Sequence, residues 1–190
     1  MPYGKTINGQ FSSSIVDYTC EQSKFETSRN YISLSHIHLP VEDIIRQYES
    51  GFQDSREIRL RCYKGYQMEA DLMARIVAVH GDKIKTDVEI SAYGGLVKGH
   101  PDFSYLGYPG DCKSVPLDEH LPVSGKLPRK VYWQMQAYML YMSRERAIVV
   151  YESRETGKII DFWIRSNFHI QTEIGAKLDR VVELTQNKAL

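Results

Sequence analysis

The stretch Gly99–Lys113, GHPDFSYLGYPGDCK, constrains this chain more than any other. Two short apolar runs flank Gly107-Tyr108-Pro109-Gly110, whose glycines and proline mark a turn. The stretch is therefore expected to form a β-hairpin or a pair of neighbouring strands. Each run carries an acid, Asp102 in the first and Asp111 in the second. Asp111 and Lys113 are two residues apart, and on a strand such side chains leave the same face. Two carboxylates converging on one spot repel each other unless a cation lies between them, and a lysine beside them is then free to face an anion. Asp…Asp-x-Lys is the set that Mg²⁺-dependent phosphodiester chemistry needs. Hard oxygen ligands hold the metal, the metal activates water, and the ammonium steadies the nucleophile or the phosphate.

The bulk properties leave that chemistry open. At 190 residues, 42% hydrophobic and 25% charged, the chain can build one well-cored domain and is not composed like a disordered one. Lys+Arg and Asp+Glu both number 24, so the formal charge is zero and any contact with nucleic acid must come from local patches. No apolar run is long enough to span a bilayer, and the first residues, Met1-Pro2-Tyr3-Gly4-Lys5, do not read as a signal peptide. Three scattered cysteines, Cys20, Cys62 and Cys112, argue for a reducing, cytoplasmic setting and against a disulfide framework. With no CxxC and no cluster of four cysteines, neither a zinc ribbon nor an iron–sulfur centre is expected.

Along the chain, residues 1–30 form a polar arm that includes Ser12-Ser13-Ser14, and one domain is expected over residues 31–190. Val41–Tyr48 reads as a helix after Pro40, with acids in its first turn. His36 and His38, just before it, read as surface or packing residues. Gly65–Val79 is the clearest helix, with Tyr66, Leu72, Met73, Ile76 and Val77 on the inner face. Asp71 and Arg75 are spaced there for an i,i+4 ion pair. Glu69 lies among the apolar positions, where an ionised carboxylate must be paired, bound to a metal, or at the edge of the stripe reaching water.

Ile84–Ile90 alternates like a half-exposed strand, Leu96–Phe103 follows as a strand carrying Asp102, and Asp111–Val115 is the next. Ser114–Pro128, with three prolines, reads as a long loop or functional flap. Pro128–Ser143 is a second strong helix with Pro128 at its first position and Val131, Met135, Tyr138 and Met142 on one face. Gln134 joins Tyr138 on that face at i,i+4 spacing. Arg129 and Lys130 in its first turn oppose the helix dipole at about 0.3–1 kcal/mol each, which is also how a phosphate-binding helix start looks. Ala147–Tyr151 and Lys158–Ile164 read as two strands. His169–Gln186 reads as an amphipathic helix with Ile170, Ile174, Leu178, Val181 and Val182 inward.

Taken together, Gly65-x-x-x-Glu69, Gly99-x-x-Asp102, Pro101-Asp102…Asp111-Cys112-Lys113 and Gln134-x-x-x-Tyr138 resemble the PD-(D/E)XK nuclease superfamily. The likeness is to its RecB-like branch, which includes phage recombination exonucleases and the CRISPR-adaptation nucleases. The four motifs stand in the family's order over residues 65–138. The resemblance implies an α/β fold, a restriction-endonuclease-like mixed central sheet with an αβββαβ core flanked by helices. It also implies that Glu69, Asp102, Asp111 and the main-chain carbonyl of Cys112 hold Mg²⁺ or Mn²⁺. Lys113 would position or activate the attacking water, with Gln134 and Tyr138 near the phosphate backbone. The iron–sulfur cysteines of many relatives are missing here, and no helicase portion is present.

The expected function is that of a metal-dependent DNA nuclease, an exonuclease of recombination, repair or replication, with Lys126, Arg129 and Lys130 as DNA contacts. Two other classes compete with it. A nucleic-acid-binding protein on a nuclease fold that has lost turnover would not need the intact Asp-x-Lys and Glu69. A metal-dependent hydrolase of small phosphoesters would not need the long flap or the basic helix start.

Overall fold

The computed structural model describes residues 30–50, 56–122 and 126–187, without the side chains of 56–62 and 64. The polar arm expected over residues 1–30 lies, but for its last residue, outside the described residues. In chain order the elements are β1 (Ile32–Ser33), α1 (Val41–Ser50), α2 (Arg56–His80), β2 (Ile84–Lys85), β3 (Ile90–Ala92), β4 (Val97–Gly99), β5 (Phe103–Tyr105), β6 (Tyr108–Val115), α3 (Arg129–Tyr141), β7 (Arg146–Ser153), β8 (Ile159–Arg165) and α4 (Phe168–Asn187). Five strands form a mixed sheet in the order β2-β5-β6-β7-β8, and three form a small one in the order β1-β4-β3. β6 and β7 run parallel, which requires a crossover, and α3 supplies it. The α-β-β-β-α-β order is therefore met by α2, β2, β5, β6, α3 and β7, while β3 and β4 leave the main sheet to pair with β1.

α3 is buried nearly all round, through Val131, Trp133, Gln134, Met135, Gln136, Ala137, Tyr138 and Met139. A helix with no polar face belongs in the middle of a fold, and α3 lies between the sheet and α4. Its two buried amides have partners. The Gln136 side chain donates to the Arg165 carbonyl and accepts from the Asn167 amide, both at 2.8 Å, tying α3 to the end of β8. One face of the sheet packs Ala147, Val149 and Tyr151 with Met135, Ile174 and Leu178. The opposite face packs Phe103, Cys112 and Val150 against Leu72 of α2.

Several local expectations change. The reversal comes two residues early, at Leu106-Gly107, where φ is +51° and +87°, and Tyr105 pairs with Tyr108 across it. Two consecutive positive-φ residues make the type I′ hairpin turn that suits twisted strands, so Pro109 and Gly110 fall inside β6. Pro109 is tolerated because pairing of β6 with β7 begins only at Gly110. Ile84–Ile90 is not one strand. A positive φ of 56° at Asp87 turns the chain, sending β2 and β3 into different sheets.

On α2, Leu72 is buried but Tyr66 and Val77 are exposed. The Arg75 guanidinium donates to the Asp71 main-chain carbonyl at 3.3 Å but pairs with the carboxylate of Glu152 on β7 at 2.5 Å rather than with that of Asp71, because a buried carboxylate needs a counter-charge more than an exposed one does. Pro128 lies just before α3 in extended geometry rather than in its first turn. Ser114–Pro128 is not wholly free loop. Strand β6 runs to Val115, Asp118–His120 makes a 3-10 turn, and Leu121 is buried. Asp118 accepts from Thr156 at 2.7 Å and its amide donates to Glu155 at 3.1 Å, which fastens this segment to the β7–β8 turn. No helix among the described residues is long and apolar enough to cross a membrane.

Candidate active site

Strand parity on β6 places Asp111 and Lys113 on the face toward α3, and Cys112 on the face toward α2. Asp111 is 2% exposed, and its Oδ2 meets the Lys113 ammonium in an ion pair. Its Oδ1 accepts from Gln134 Nε2 at 3.3 Å, and the same Nε2 lies 2.9 Å from the Tyr138 hydroxyl. Tyr138 in turn donates to the His100 carbonyl at 3.2 Å. One turn of α3 thus carries both residues into contact with the acid on the strand. Gly99 makes room for this: a Cβ there would come within 2.9 Å of the Tyr138 ring and 2.8 Å of Leu34.

Asp102 follows Pro101 and sits just before β5. The residue as a whole is exposed, but its carboxyl turns inward and accepts from the Cys112 amide at 2.6 Å. Burial of that carboxyl, with the charge of Asp111 beside it, pushes its pKa up to about 7. Glu69, on α2, accepts from the Ser114 amide at 3.3 Å, and burial likewise raises its pKa, against the pull of Lys113. For Lys113 burial lowers the pKa, yet Asp111 and Asp102 outweigh it and hold the ammonium protonated above the usual lysine value. Burial and the neighbouring acids also raise the Cys112 thiol. Three carboxyls are therefore gathered around one lysine, and two of them are held back from ionising.

The donor set is all oxygen, as a hard divalent cation requires. Asp111 Oδ2 is buried, and its partner among the described residues is the Lys113 ammonium alone. As the side chains stand, no three His, Cys, Asp or Glu residues among those described close on one point. Glu69, Asp102 and Asp111 feel one another's charge without forming a finished cage. By donor chemistry these residues suit Mg²⁺ or Mn²⁺.

The three basic residues are placed less closely. Lys126, Arg129 and Lys130 are exposed, and the Arg129 guanidinium stacks 4.9 Å from the Trp133 ring centre, with Lys177 at 4.4 Å from the same ring. Lys177 also donates to the Ile37 and Leu39 carbonyls, both at 3.1 Å, and it carried no signal in the sequence. Tyr151, opposite Lys113 in the β6–β7 register, was equally invisible, because register between distant strands is a tertiary fact. A cleft of about 420 Å³, lined by Leu72, Ile76, Phe103, Ile148, Val150 and Trp163 among others, lies across the sheet from Asp111 and is mostly apolar.

No family model matches the sequence, and no curated protein matches it. Solved structures do match. An alkaline exonuclease (LHK-Exo) from Laribacter hongkongensis is 18% identical, with a TM-score of 0.63 over 89% of this chain and 97% of that one. Its complex with dAMP matches at 13% identity and a TM-score of 0.63, over 84% and 89%. A phage-related exonuclease from Haemophilus somnus is 10% identical, with a TM-score of 0.65 over 84% and 95%. At such identities the likeness is one of architecture. The chain has the mixed α/β fold, sheet flanked by helices, of alkaline and phage-related exonucleases.

Proposed function

We propose that this protein is a metal-dependent deoxyribonuclease that hydrolyses phosphodiester bonds from DNA ends. The observation that carries the reading is the juxtaposition on β6 and α3. Asp111 and Lys113 share one buried face, Gln134 and Tyr138 are bonded into it, and the Asp102 carboxyl stands beside it with its pKa pushed up to about 7. A cluster of acids that suppresses its own ionisation is a cluster short of positive charge. The alkaline exonuclease and the phage-related exonuclease among the structural neighbours point the same way.

Glu69, Asp102, Asp111 and the Cys112 carbonyl would hold Mg²⁺ or Mn²⁺. The ion supplies activation of water and neutralisation of phosphate charge. Lys113 would orient the attacking water or a phosphate oxygen with its ammonium. Gln134 fixes the rotamer of Asp111, and Tyr138 fixes Gln134, so both hold the acid in place. Incubation with end-labelled linear, single-stranded and closed circular DNA, in Mg²⁺, Mn²⁺ or EDTA, tests the reading. Degradation that requires a metal and a DNA end supports it, and no cleavage in any divalent metal refutes it.

A further inference from the structure

Tyr151 is a buried tyrosine whose hydroxyl has no hydrogen-bond partner among the described residues. Other tyrosines nearby are bonded. Tyr138 is held by Gln134 and His100, and Tyr141 donates to Tyr93, which donates to Asp179. Tyr151 is 3% exposed, so water at the surface does not substitute for a partner. Its place is specific. It stands opposite Lys113 in the β6–β7 ladder, and Val149, two residues earlier, stands opposite Asp111. Parity puts its side chain on the same sheet face as Asp111 and Lys113. The Phe162 ring, at 6.1 Å and nearly perpendicular, holds its ring from the neighbouring strand.

Burial pushes the Tyr151 pKa up to about 12, so the group stays an O–H donor at neutral pH. The groups charged around it are Lys113 and Asp111. Lys113 is a donor only and cannot take the Tyr151 proton. Asp111 already has Gln134 on Oδ1 and the ammonium on Oδ2. The unfilled role is an acceptor oxygen from outside the protein.

We propose that the Tyr151 hydroxyl donates a hydrogen bond to a non-bridging oxygen of the bound phosphodiester, acting beside Lys113 as a positioning residue for the reacting phosphate. This rests on the nuclease reading above. The test is Tyr151→Phe, which deletes only the hydroxyl, followed by three measurements: kcat and KM on linear DNA, melting temperature without metal or DNA, and binding of inorganic phosphate in EDTA. The expected result is a kcat about 10-fold lower, a KM raised about as much as phosphate affinity falls, a melting temperature equal to or above that of the unaltered protein, and phosphate affinity at least about fivefold weaker. A structural hydroxyl would give the opposite pairing, with stability lost and activity kept. Unchanged kcat, a lower melting temperature, equal phosphate affinity, or no phosphate binding by the unaltered protein overturns the proposal. Failure of the unaltered protein to cut DNA would defeat the nuclease reading alone, since phosphate binding tests the hydroxyl without turnover.

Discussion

Gly110→Ala should disturb fold and site together. Gly110 pairs with Phe103 on β5 and with Ile148 on β7, in the middle of the sheet. A Cβ on Gly110 would overlap the Phe103 ring itself, at Cε2, Cζ and Cδ2. Phe103 is 1% exposed and packed with Leu72, Cys112 and Val150, so its ring moves only by giving up those contacts and turning toward the cleft it lines. Overpacking of this kind costs about 1–3 kcal/mol, and a ring struck at three atoms belongs at the upper end. Alanine returns about 0.4–1 kcal/mol by restricting the unfolded chain. The net loss is about 2–2.6 kcal/mol, or roughly 4–10 °C in melting temperature for a chain of this size.

The displaced ring follows Asp102 directly, and the altered residue precedes Asp111, so cleavage should fall as well. Circular dichroism melts of the four proteins in a cycle with Phe103→Leu isolate the clash. The double variant should melt above Gly110→Ala alone, with a coupling of about 0.5–3 kcal/mol. A Gly110→Ala protein that melts within about 1 °C of the unaltered one, or strict additivity in the cycle, would refute the packing argument.

Asp111→Asn keeps the shape of the side chain and its neighbours but removes a ligand charge, and should lower cleavage by at least about 100-fold while the circular dichroism spectrum is unchanged. A wild-type rate would remove Asp111 from the site. In metal-free protein, the Asp102 carboxyl, lifted from its ordinary 3.8 to about 7, favours the folded state when protonated. That contribution is complete below pH about 4 and is lost as pH rises through about 7, so the metal-free melting temperature should fall between pH 5 and pH 8. Asp102→Asn should remove most of the fall, and Mn²⁺ should offset it at pH 8; a slope that survives Asp102→Asn contradicts this. Removing Arg129 and Lys130 together should weaken DNA binding and flatten its log–log salt slope by about 0.7–0.9 for each phosphate no longer neutralised, whereas an unchanged slope places both residues away from DNA. Linear DNA should be degraded while covalently closed circles survive the same enzyme, metal and time. Rapid nicking of circles would defeat the end requirement and leave the metal ligands standing.

Much of this protein was legible in its sequence, for reasons of periodicity. The helix at residues 169–186 matches α4 within a residue at each end, and Ile174, Leu178, Val181 and Val182 are buried, because an amphipathic stripe records the neighbouring core in the chain itself. Asp111 and Lys113 were placed on one face by the two-residue period of a strand, and Gln134 and Tyr138 by the four-residue spacing of a helix. Glu69 could not be assigned by the same means. Its position in the stripe left both burial and solvent open, and the Ser114 amide, forty-five residues on, gives it a partner.

Tertiary structure decided whatever depends on residues far apart in the chain. A single positive φ at Asp87 sends what reads as one strand into two sheets, and no alternation of side chains records a backbone angle. Arg75 has a neighbour at the right spacing in Asp71, yet pairs with Glu152 because burial makes that carboxylate the costlier one to leave alone. Gly110 and Gly99 carry no pattern of their own, and the Phe103 and Tyr138 rings are what exclude a side chain there. Register between β6 and β7 sets Tyr151 beside Lys113, thirty-eight residues away, and puts the unpartnered hydroxyl in the site. Local sequence sets which face a side chain takes, because backbone geometry repeats every two or 3.6 residues. What that face meets depends on packing across the sheet, and the candidate site is assembled there.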